Sequence, residues 1–339
     1  MTATHVPFAR GGAEAHMHNL ALALRAAGHQ AELLRVPFTF APEETVRAAM
    51  TFCQALDLER LAGLAPQRVI SLQFPAYGVR HPRHVVWLMH QHRAVYELYE
   101  RDGPATPALR RLREDIHAFD TEALGRAWRR FANSRCVAQR LAQFNGLQAE
   151  PLYHPPPDAE KFFCGEDWGY VYGPSRLEGL KRQDLLLQAA QLVKAPVRFV
   201  LTGDGGMRQQ LARMVEELGL QDRVWLRGHC SRAEQLAWYA HALAVFFGPF
   251  DEDYGYVTLE AMCAAKPVIT CSDSGGPLEF VQHRETGLVC EPQPQAVADA
   301  IEQLWADRAR ARAMGREGRL AWEASDISWD RVVQRLLED

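Results

Sequence analysis

Residues 247–260, Phe247-Gly-Pro-Phe-Asp-Glu-Asp-Tyr-Gly-Tyr-Val-Thr-Leu-Glu260, follow the apolar run Ala242-Leu-Ala-Val-Phe-Phe247 and lead into Ala261-Met-Cys-Ala-Ala-Lys-Pro267. A short apolar run bounded by Gly-Pro reads as a buried strand, and the residues after Gly255 read as the start of a helix. Glu252 then lies in the loop at the carboxyl end of the strand, and Glu260 just inside the helix. Between them Gly255 allows a ligand close to the backbone, and the amides of Tyr256, Val257 and Thr258 are expected to be unpaired at the helix start, as an anion site requires. Carboxylates on either side of an anion site accept hydrogen bonds from vicinal hydroxyls. A nucleotide sugar, with phosphates in its middle and hydroxyls at both ends, has that layout.

With 339 residues and 47% apolar content, the chain is long enough for two soluble globular domains. No run approaches the ~20 apolar residues that span a bilayer, and the first residues lack a basic start followed by an apolar signal core. A cytoplasmic protein is expected. The seven cysteines (53, 136, 164, 230, 263, 271, 290) are scattered and include no Cys-x-x-Cys pair, which points to reduced core residues rather than to disulfides or a zinc ribbon. Residues 1–165 hold 19 Lys and Arg against 16 Asp and Glu, and residues 166–339 hold 19 against 26. The first half is mildly basic and the second acidic.

Outward from the central motif, strands and helices alternate along the whole chain, which implies parallel sheets. Near the start, Gly11 and Gly12 occupy a strand-to-helix turn before the periodic residues Met17, Leu20, Ala21 and Leu24. Such a turn can face a pyrophosphate or be only a tight turn. A helix over residues 43–61 and buried strands at 69–74 and 85–89 follow. The last of these ends at His90, and ligands of open parallel sheets lie beyond the carboxyl ends of strands. With His81 and His84 nearby a metal cluster is a rival reading, though no acidic or cysteine ligand is spaced with them. The segment 105–145 reads as long, helical and arginine-rich (Arg110, Arg111, Arg113, Arg126, Arg129, Arg130, Arg135), either a solvated face or a surface for an anionic acceptor or membrane.

Pro155-Pro-Pro157 cannot continue regular structure and marks the crossing between domains. A second alternating series runs from Tyr170 to Val289, followed by helices over 294–321 and 329–337. In it Arg176 and Lys181 sit in a strand-to-helix loop at the same sheet end as Glu252. Two cations five residues apart can bracket a phosphate. Asp251-Glu-Asp253 could instead be a metal-binding Asp-x-Asp, a reading disfavoured by the two α/β series and the phosphate-facing cations.

These features resemble the retaining glycosyltransferases of the GT-B fold, family four (glycosyl transferases group 1). The resemblance covers nearly the whole chain through Gly11-Gly-Ala-Glu14, the His90 strand end, Asn133-Ser134, Ser175-Arg176-Leu with Lys181-Arg-Gln-Asp-Leu185, Gly203-Asp-Gly205 and Glu252 to Met262. It implies an α/β protein of two Rossmann-like domains facing across a cleft: residues 1–160 on the acceptor side, 161–325 for the nucleotide sugar, and a helix in 326–339 packing back toward the first domain. It implies that Glu252 holds donor-sugar hydroxyls and Glu260 the ribose, while Arg176 and Lys181 neutralise the leaving diphosphate. Gly11 and Gly12 would approach that diphosphate, together with Gly255 and the amides of Tyr256, Val257 and Thr258. His90 would contact the transferred sugar, and the base would lie near Arg227 and Gly228. The cations take the place of a metal, and no cofactor is expected beyond a UDP- or GDP-hexose substrate. The acceptor would be a glycan, lipid-linked or small molecule, with peripheral contact to the inner membrane face through 105–145 and no nucleic acid. A non-catalytic sugar-nucleotide-binding module is the alternative. One departure concerns the first strand, for which only Met1 to Phe8 precede the glycine turn.

Overall fold

Short apolar runs, most of them followed by an α-helix, build two separate all-parallel sheets of six strands. The computed structural model describes residues 1–7, 11–59, 65–99, 101 and 104–339. Its first unit comprises residues 1–154 and 327–339, and its second residues 155–326. The crossing falls at 154/155, ahead of the expected 160, because Arg232 of the second unit binds the Pro157 carbonyl and the Asp158 carboxylate.

In the first unit the strands are β1 (Thr2–His5), β2 (Leu34–Pro37), β3 (Val69–Ser71), β4 (His84–Leu88), β5 (Arg129–Ala132) and β6 (Glu150–Pro151), in the order β2-β1-β3-β4-β5-β6. Helices α1 (Gly12–Ala26), α2 (Glu43–Ala55), α3 (Pro107–Gly125) and α4 (Arg135–Asn145) connect them. The first strand is short but interior, paired with β2 on one side and β3 on the other. Thr2 Oγ1 lies 2.6 Å from Ser71 Oγ, which lies 2.7 Å from His84 Nε2, so three side chains tie β1, β3 and β4 together. Beyond the end of β3, Gln73 Oε1 accepts from the Thr4 amide and hydroxyl, and so satisfies the buried end of β1. Residues 8–10, between β1 and the glycine turn, lie outside the described residues.

The helix expected over 43–61 stops at Ala55, because the chain turns to pair Asp57 with Arg80. The arginine-rich segment is not one long helix. Strand β5 runs through it, flanked by α3 and α4, and most of its cations have partners within the fold. Arg113 donates to the Val95 carbonyl, Arg126 to Glu122 and the Gly78 carbonyl, Arg129 to the Glu338 carbonyl, and Arg130 to the carbonyls of Leu124, Ala127 and Gln148. Arg110, Arg111 and Arg135 stand exposed on that surface.

The second unit contains β7 (Tyr170–Pro174), α5 (Gln183–Leu192), β8 (Arg198–Thr202), α6 (Arg208–Glu217), β9 (Val224–Gly228), α7 (Arg232–Ala240), β10 (Ala244–Phe246), α8 (Tyr256–Cys263), β11 (Val268–Cys271), β12 (Gly287–Cys290), α9 (Pro294–Ala306) and α10 (Arg308–Glu323), with strand order β12-β11-β10-β7-β8-β9. The helix expected over 294–321 breaks at Asp307, whose carboxylate caps α10 by accepting from the Arg310 amide at 2.8 Å. Helix α11 (Trp329–Leu337) returns to the first unit. Its apolar stripe Val332, Val333 and Leu336 joins Ala3, Leu20 and Trp87 in one core, and Arg68 donates to the carbonyls of Leu336 and Glu338.

Asp120 of α3 is buried beneath α2 and the turn at Tyr77, where the hydroxyls of Tyr77 and Tyr96 each donate to it at 2.7 Å. Burial pushes its carboxyl up to about 7, with the two tyrosine bonds opposing the rise. A carboxyl raised in the folded state stabilises most below its unfolded value, and that stability is lost as pH climbs through the folded one. Wild type should therefore lose about 2 kcal/mol between pH 5 and pH 7 relative to Asp120→Asn, measured by urea unfolding at each pH. His84 and His92, pushed down to about 4 by burial, act in the opposite sense as pH falls below about 6.5. They are common to both proteins and cancel in the difference. Parallel pH profiles for the two proteins would refute the assignment.

Candidate active site

In each sheet the order of strands reverses once, between β1 and β3 in the first unit and between β7 and β10 in the second. At such a point the loops leaving neighbouring strands turn to opposite faces and open a crevice beyond the carboxyl ends. In the second unit those two loops carry Arg176 and Lys181 (after β7) and Glu252 and Gly255 (after β10).

Three backbone bonds join the loop after β10 to the loop after β11. The Asp251 amide donates to the Asp273 carbonyl (2.9 Å), the Glu252 amide to the Ser274 carbonyl (2.9 Å), and the Gly276 amide to the Glu252 carbonyl (2.8 Å). Glycine is needed at this contact. Gly275 has φ +69°, and a Cβ there would stand 2.6 Å from the Glu252 carbonyl oxygen. The loop after β7 is fastened to the same pair. Phe250 donates its amide to the Leu180 carbonyl (2.8 Å), and Arg182 grips Asp273 with both Nη atoms (2.8 and 2.6 Å). A bidentate guanidinium–carboxylate pair fixes orientation as well as distance.

This scaffold brings Lys181 and Glu252 together. Lys181 ends a 3-10 turn (Gly179–Lys181), and its Nζ donates to Glu252 Oε2, with both side chains mostly buried. An ammonium has three N–H donors, so two remain for another acceptor. Arg176 stands exposed on the same loop and has no side-chain ion pair among the described residues. Its backbone is set by the glycine loop after β8, since Leu177 donates its amide to the Asp204 carbonyl (3.0 Å) and accepts from Met207 (2.9 Å). The Gly203-Asp-Gly205 motif thus supports the cation loop from beneath.

Gly255 caps α8 in the left-handed region (φ +84°). The expectation of three unpaired amides at the start of α8 is corrected at Thr258. Its amide donates to the Gly255 carbonyl at 3.0 Å, the tight bond a left-handed cap permits. Glu260 is buried, its Oε1 taking Arg232 Nη1 at 3.0 Å and its Oε2 the Tyr239 hydroxyl at 2.6 Å. Arg227 and Gly228 end β9, the strand next to β8, with Arg227 exposed and Gly228 at φ +68°, its carbonyl accepting from the Gly203 amide at 2.8 Å.

In the first unit Gly12 opens α1 after β1, and Glu14 pairs with Arg35 at 2.5 Å. His90 follows β4 and is half-buried. Its Nδ1 lies 2.7 Å from the Gln91 carbonyl, which requires Nδ1–H and makes Nε2 of the neutral ring an acceptor. His84 is spent on Ser71, and His81 bonds the Pro66 carbonyl at 2.9 Å. Among the described residues no three His, Cys, Asp or Glu side chains converge in a metal-binding arrangement.

Sequence reasoning missed Arg182, Asp273, Arg232 and Tyr239. One signal was present: Arg232 is the first residue of α7, where the helix dipole disfavours a cation, so a fixed carboxylate partner was to be looked for.

Residues 165–321 match the family model described as glycosyl transferases group 1. A GDP-mannose-dependent alpha-(1-6)-phosphatidylinositol monomannoside mannosyltransferase of Mycobacterium tuberculosis is 36% identical over 177 residues, covering 48% of this chain and 45% of that protein. The chain spans about half the length of this relative. Among solved structures, a sucrose-phosphate synthase from Thermosynechococcus elongatus superposes with a TM-score of 0.80 at 19% identity, covering 99% of this chain and 96% of that one. Anabaena HepE in complex with UDP-glucose does so with 0.70 at 18%, covering 99% and 97%.

The glycine contacts yield a paired test. A Cβ at Gly203 (φ +125°) would stand 1.9 Å from the Ser175 carbonyl oxygen, whereas at Gly206 its nearest neighbour is the Glu178 carboxylate at 3.9 Å. Gly203→Ala should lower stability by about 3 kcal/mol through strain and displacement of the cation loop, and Gly206→Ala by less than about 0.5 kcal/mol. Urea midpoints compare the two. Equal midpoints would show that the glycine loop does not set the Arg176 backbone.

Proposed function

We infer that the chain is a member of the glycosyl transferases group 1 family, with the GT-B pair of Rossmann-like sheets, and that it moves a hexose from a nucleotide-sugar donor to a glycan, lipid-linked or small-molecule acceptor, with retention at the anomeric carbon and without a metal ion. The observation that carries the proposal is the meeting of Lys181 and Glu252 at the β7/β10 reversal, beside exposed Arg176 and the Gly255 cap of α8. A cation with donors to spare, held next to a carboxylate, offers one partner to a phosphate oxygen and another to sugar hydroxyls.

The proposed chemistry follows from where charge develops. As the bond from the anomeric carbon to the diphosphate oxygen breaks, negative charge grows on the leaving group and positive charge on the sugar ring. Arg176 and Lys181 meet the first, in the role a divalent ion would otherwise have. Glu252 takes hydroxyls of the sugar, Glu260 those of the ribose, and the base rests near Arg227 and Gly228. The amide of Val257 at the α8 start serves a phosphate oxygen. For the first unit, we assign the Gly11–Gly12 turn to a phosphate and His90 to the transferred sugar, with Nε2 of His90 accepting from a sugar hydroxyl. The donor would be a UDP- or GDP-hexose. The mannosyltransferase and HepE comparisons support that class without choosing between its members. Contact with a membrane surface is not part of the proposal, since the arginines expected to supply it are mostly bonded to carbonyl oxygens.

Incubation with UDP-, GDP- and ADP-hexoses should release the nucleoside diphosphate, with EDTA leaving the rate unchanged. Binding without release from any donor, with a range of acceptors, would mark a non-catalytic module instead. Arg176→Ala and Lys181→Ala should each lower kcat by ~10²–10³, because their contacts strengthen as the leaving charge grows. Glu260→Gln should chiefly raise KM for the donor, as ribose hydroxyls do not change during transfer. If both cation variants keep kcat within about threefold of wild type, the leaving-group assignment is wrong.

A further inference from the structure

Glu260 stands in a helix whose residues 257–263 are all buried. A carboxylate in such surroundings is costly unless paired. Its two partners take one site on each oxygen: Arg232 Nη1 on Oε1 and the Tyr239 hydroxyl on Oε2. Since a carboxylate accepts about four hydrogen bonds, each oxygen keeps a lone pair. Two open acceptor sites on one carboxylate suit the two donors of a vicinal diol.

Arg232 does more than neutralise that charge. Its Nε donates to Asp158 Oδ2 at 3.1 Å, its Nη2 to the Pro157 carbonyl at 2.5 Å, and its Nη1 is shared with Gln235 Oε1 at 2.6 Å. The guanidinium also lies 5.0 Å from the Phe162 ring centre. Asp158 is held in turn by Lys161 Nζ at 2.6 Å and sits in the left-handed region (φ 52°). Every polar atom of the planar fork is thus engaged, and the fork links the segment at which the chain enters the second unit, the first turn of α7 and the carboxylate in α8.

We propose that Arg232 is a positioning residue that aims the Glu260 carboxylate at the ribose hydroxyl pair of a nucleoside diphosphate and fixes it to the entry segment Pro157–Asp158. The inference rests on the reading of Glu260 as the ribose carboxylate. Lysine would not replace it, since an ammonium lacks the planar spread that serves Glu260, Asp158 and a carbonyl together.

The test uses discrimination between ribose and 2′-deoxyribose, a readout that general loosening of the fold does not move. UDP, GDP and ADP are titrated by calorimetry into the full chain, and the tightest is then compared with its 2′-deoxy form. Wild type should prefer the ribonucleotide by about tenfold, the loss expected when a buried acceptor is left without its donor. Glu260→Gln and Arg232→Met should each bring the ratio below about threefold, Arg232→Lys should fall between, and the double variant should lose no more than either single one. Arg232→Met weakening both nucleotides equally, at an unchanged ratio, overturns the positioning role while Glu260 keeps its own. If Glu260→Gln keeps the full ratio, or none of the three nucleotides binds, the ribose reading itself fails and the inference with it. Should Arg232→Met give no cooperative unfolding transition, the ratio of Arg232→Lys decides: a wild-type value overturns the proposal.

Discussion

The site in the second unit depends on a backbone contact rather than on any side chain: the bridge between residues 251–252 and 273–276. Two neighbouring parallel strands end, and their loops continue to exchange amide–carbonyl bonds beyond the sheet. Loops usually leave such groups to water and remain mobile. Here the close approach, possible only with glycine at 275 and 276, satisfies them internally and gives Glu252 the rigidity of a strand residue. Arg182 and the Phe250 amide extend that rigidity to the cation loop. Functional groups held this way need little reordering when a ligand arrives, which is the condition for electrostatic stabilisation to act on the transition state.

Two mostly buried ion pairs then occupy the rigid frame, Lys181 with Glu252 and Arg232 with Glu260. Desolvation of the charges offsets much of the Coulomb attraction, so neither is a strong argument for stability. Their value lies in orientation. A paired carboxylate keeps one direction in space and retains lone pairs for hydroxyls, whereas an unpaired one would draw in water or a proton. The same logic separates the roles of the cations. Lys181 is a compact charge with donors left over, and Arg232 a fork with each of its nitrogens engaged. The first is suited to a changing phosphate and the second to a fixed support.

Much of this was legible in the sequence because its signals are local. The alternation of short apolar runs with helical periods gave two parallel sheets, and the spacing of Arg176, Lys181, Glu252, Gly255 and Glu260 placed each at a strand end or helix start. What escaped was long-range. Arg182 finds Asp273 across 91 residues and Arg232 finds Glu260 across 28, and nothing in either neighbourhood encodes the partner. The arginine-rich stretch misled for a related reason. Its charge density suggested an outer face, yet Arg129 and Arg130 belong to a strand and serve as donors to carbonyl oxygens at the ends of other elements. Thr258 was a local failure: a left-handed glycine cap tightens the first turn and consumes an amide that a regular helix would leave open.

The two units reach similar sheets by different routes, and this bears on how each is stabilised. The second is a continuous stretch, residues 155–326, whose core closes within its own sequence. The first is completed by the far end of the chain. Val332, Val333 and Leu336 fill the face of β1 and α1, and Trp329 lies against the rings of His16, Trp87 and His154, the last residue before the crossing. Joining residues so far apart in the chain costs loop-closure entropy, which the contacts of α11 within the first unit must offset. The carbonyl-capping arginines Arg68 and Arg129 fasten α11 to the first unit. A four-residue strand can therefore stand inside the first sheet, paired on both sides, because its support comes less from its own length than from the helix α11 that packs into the same core.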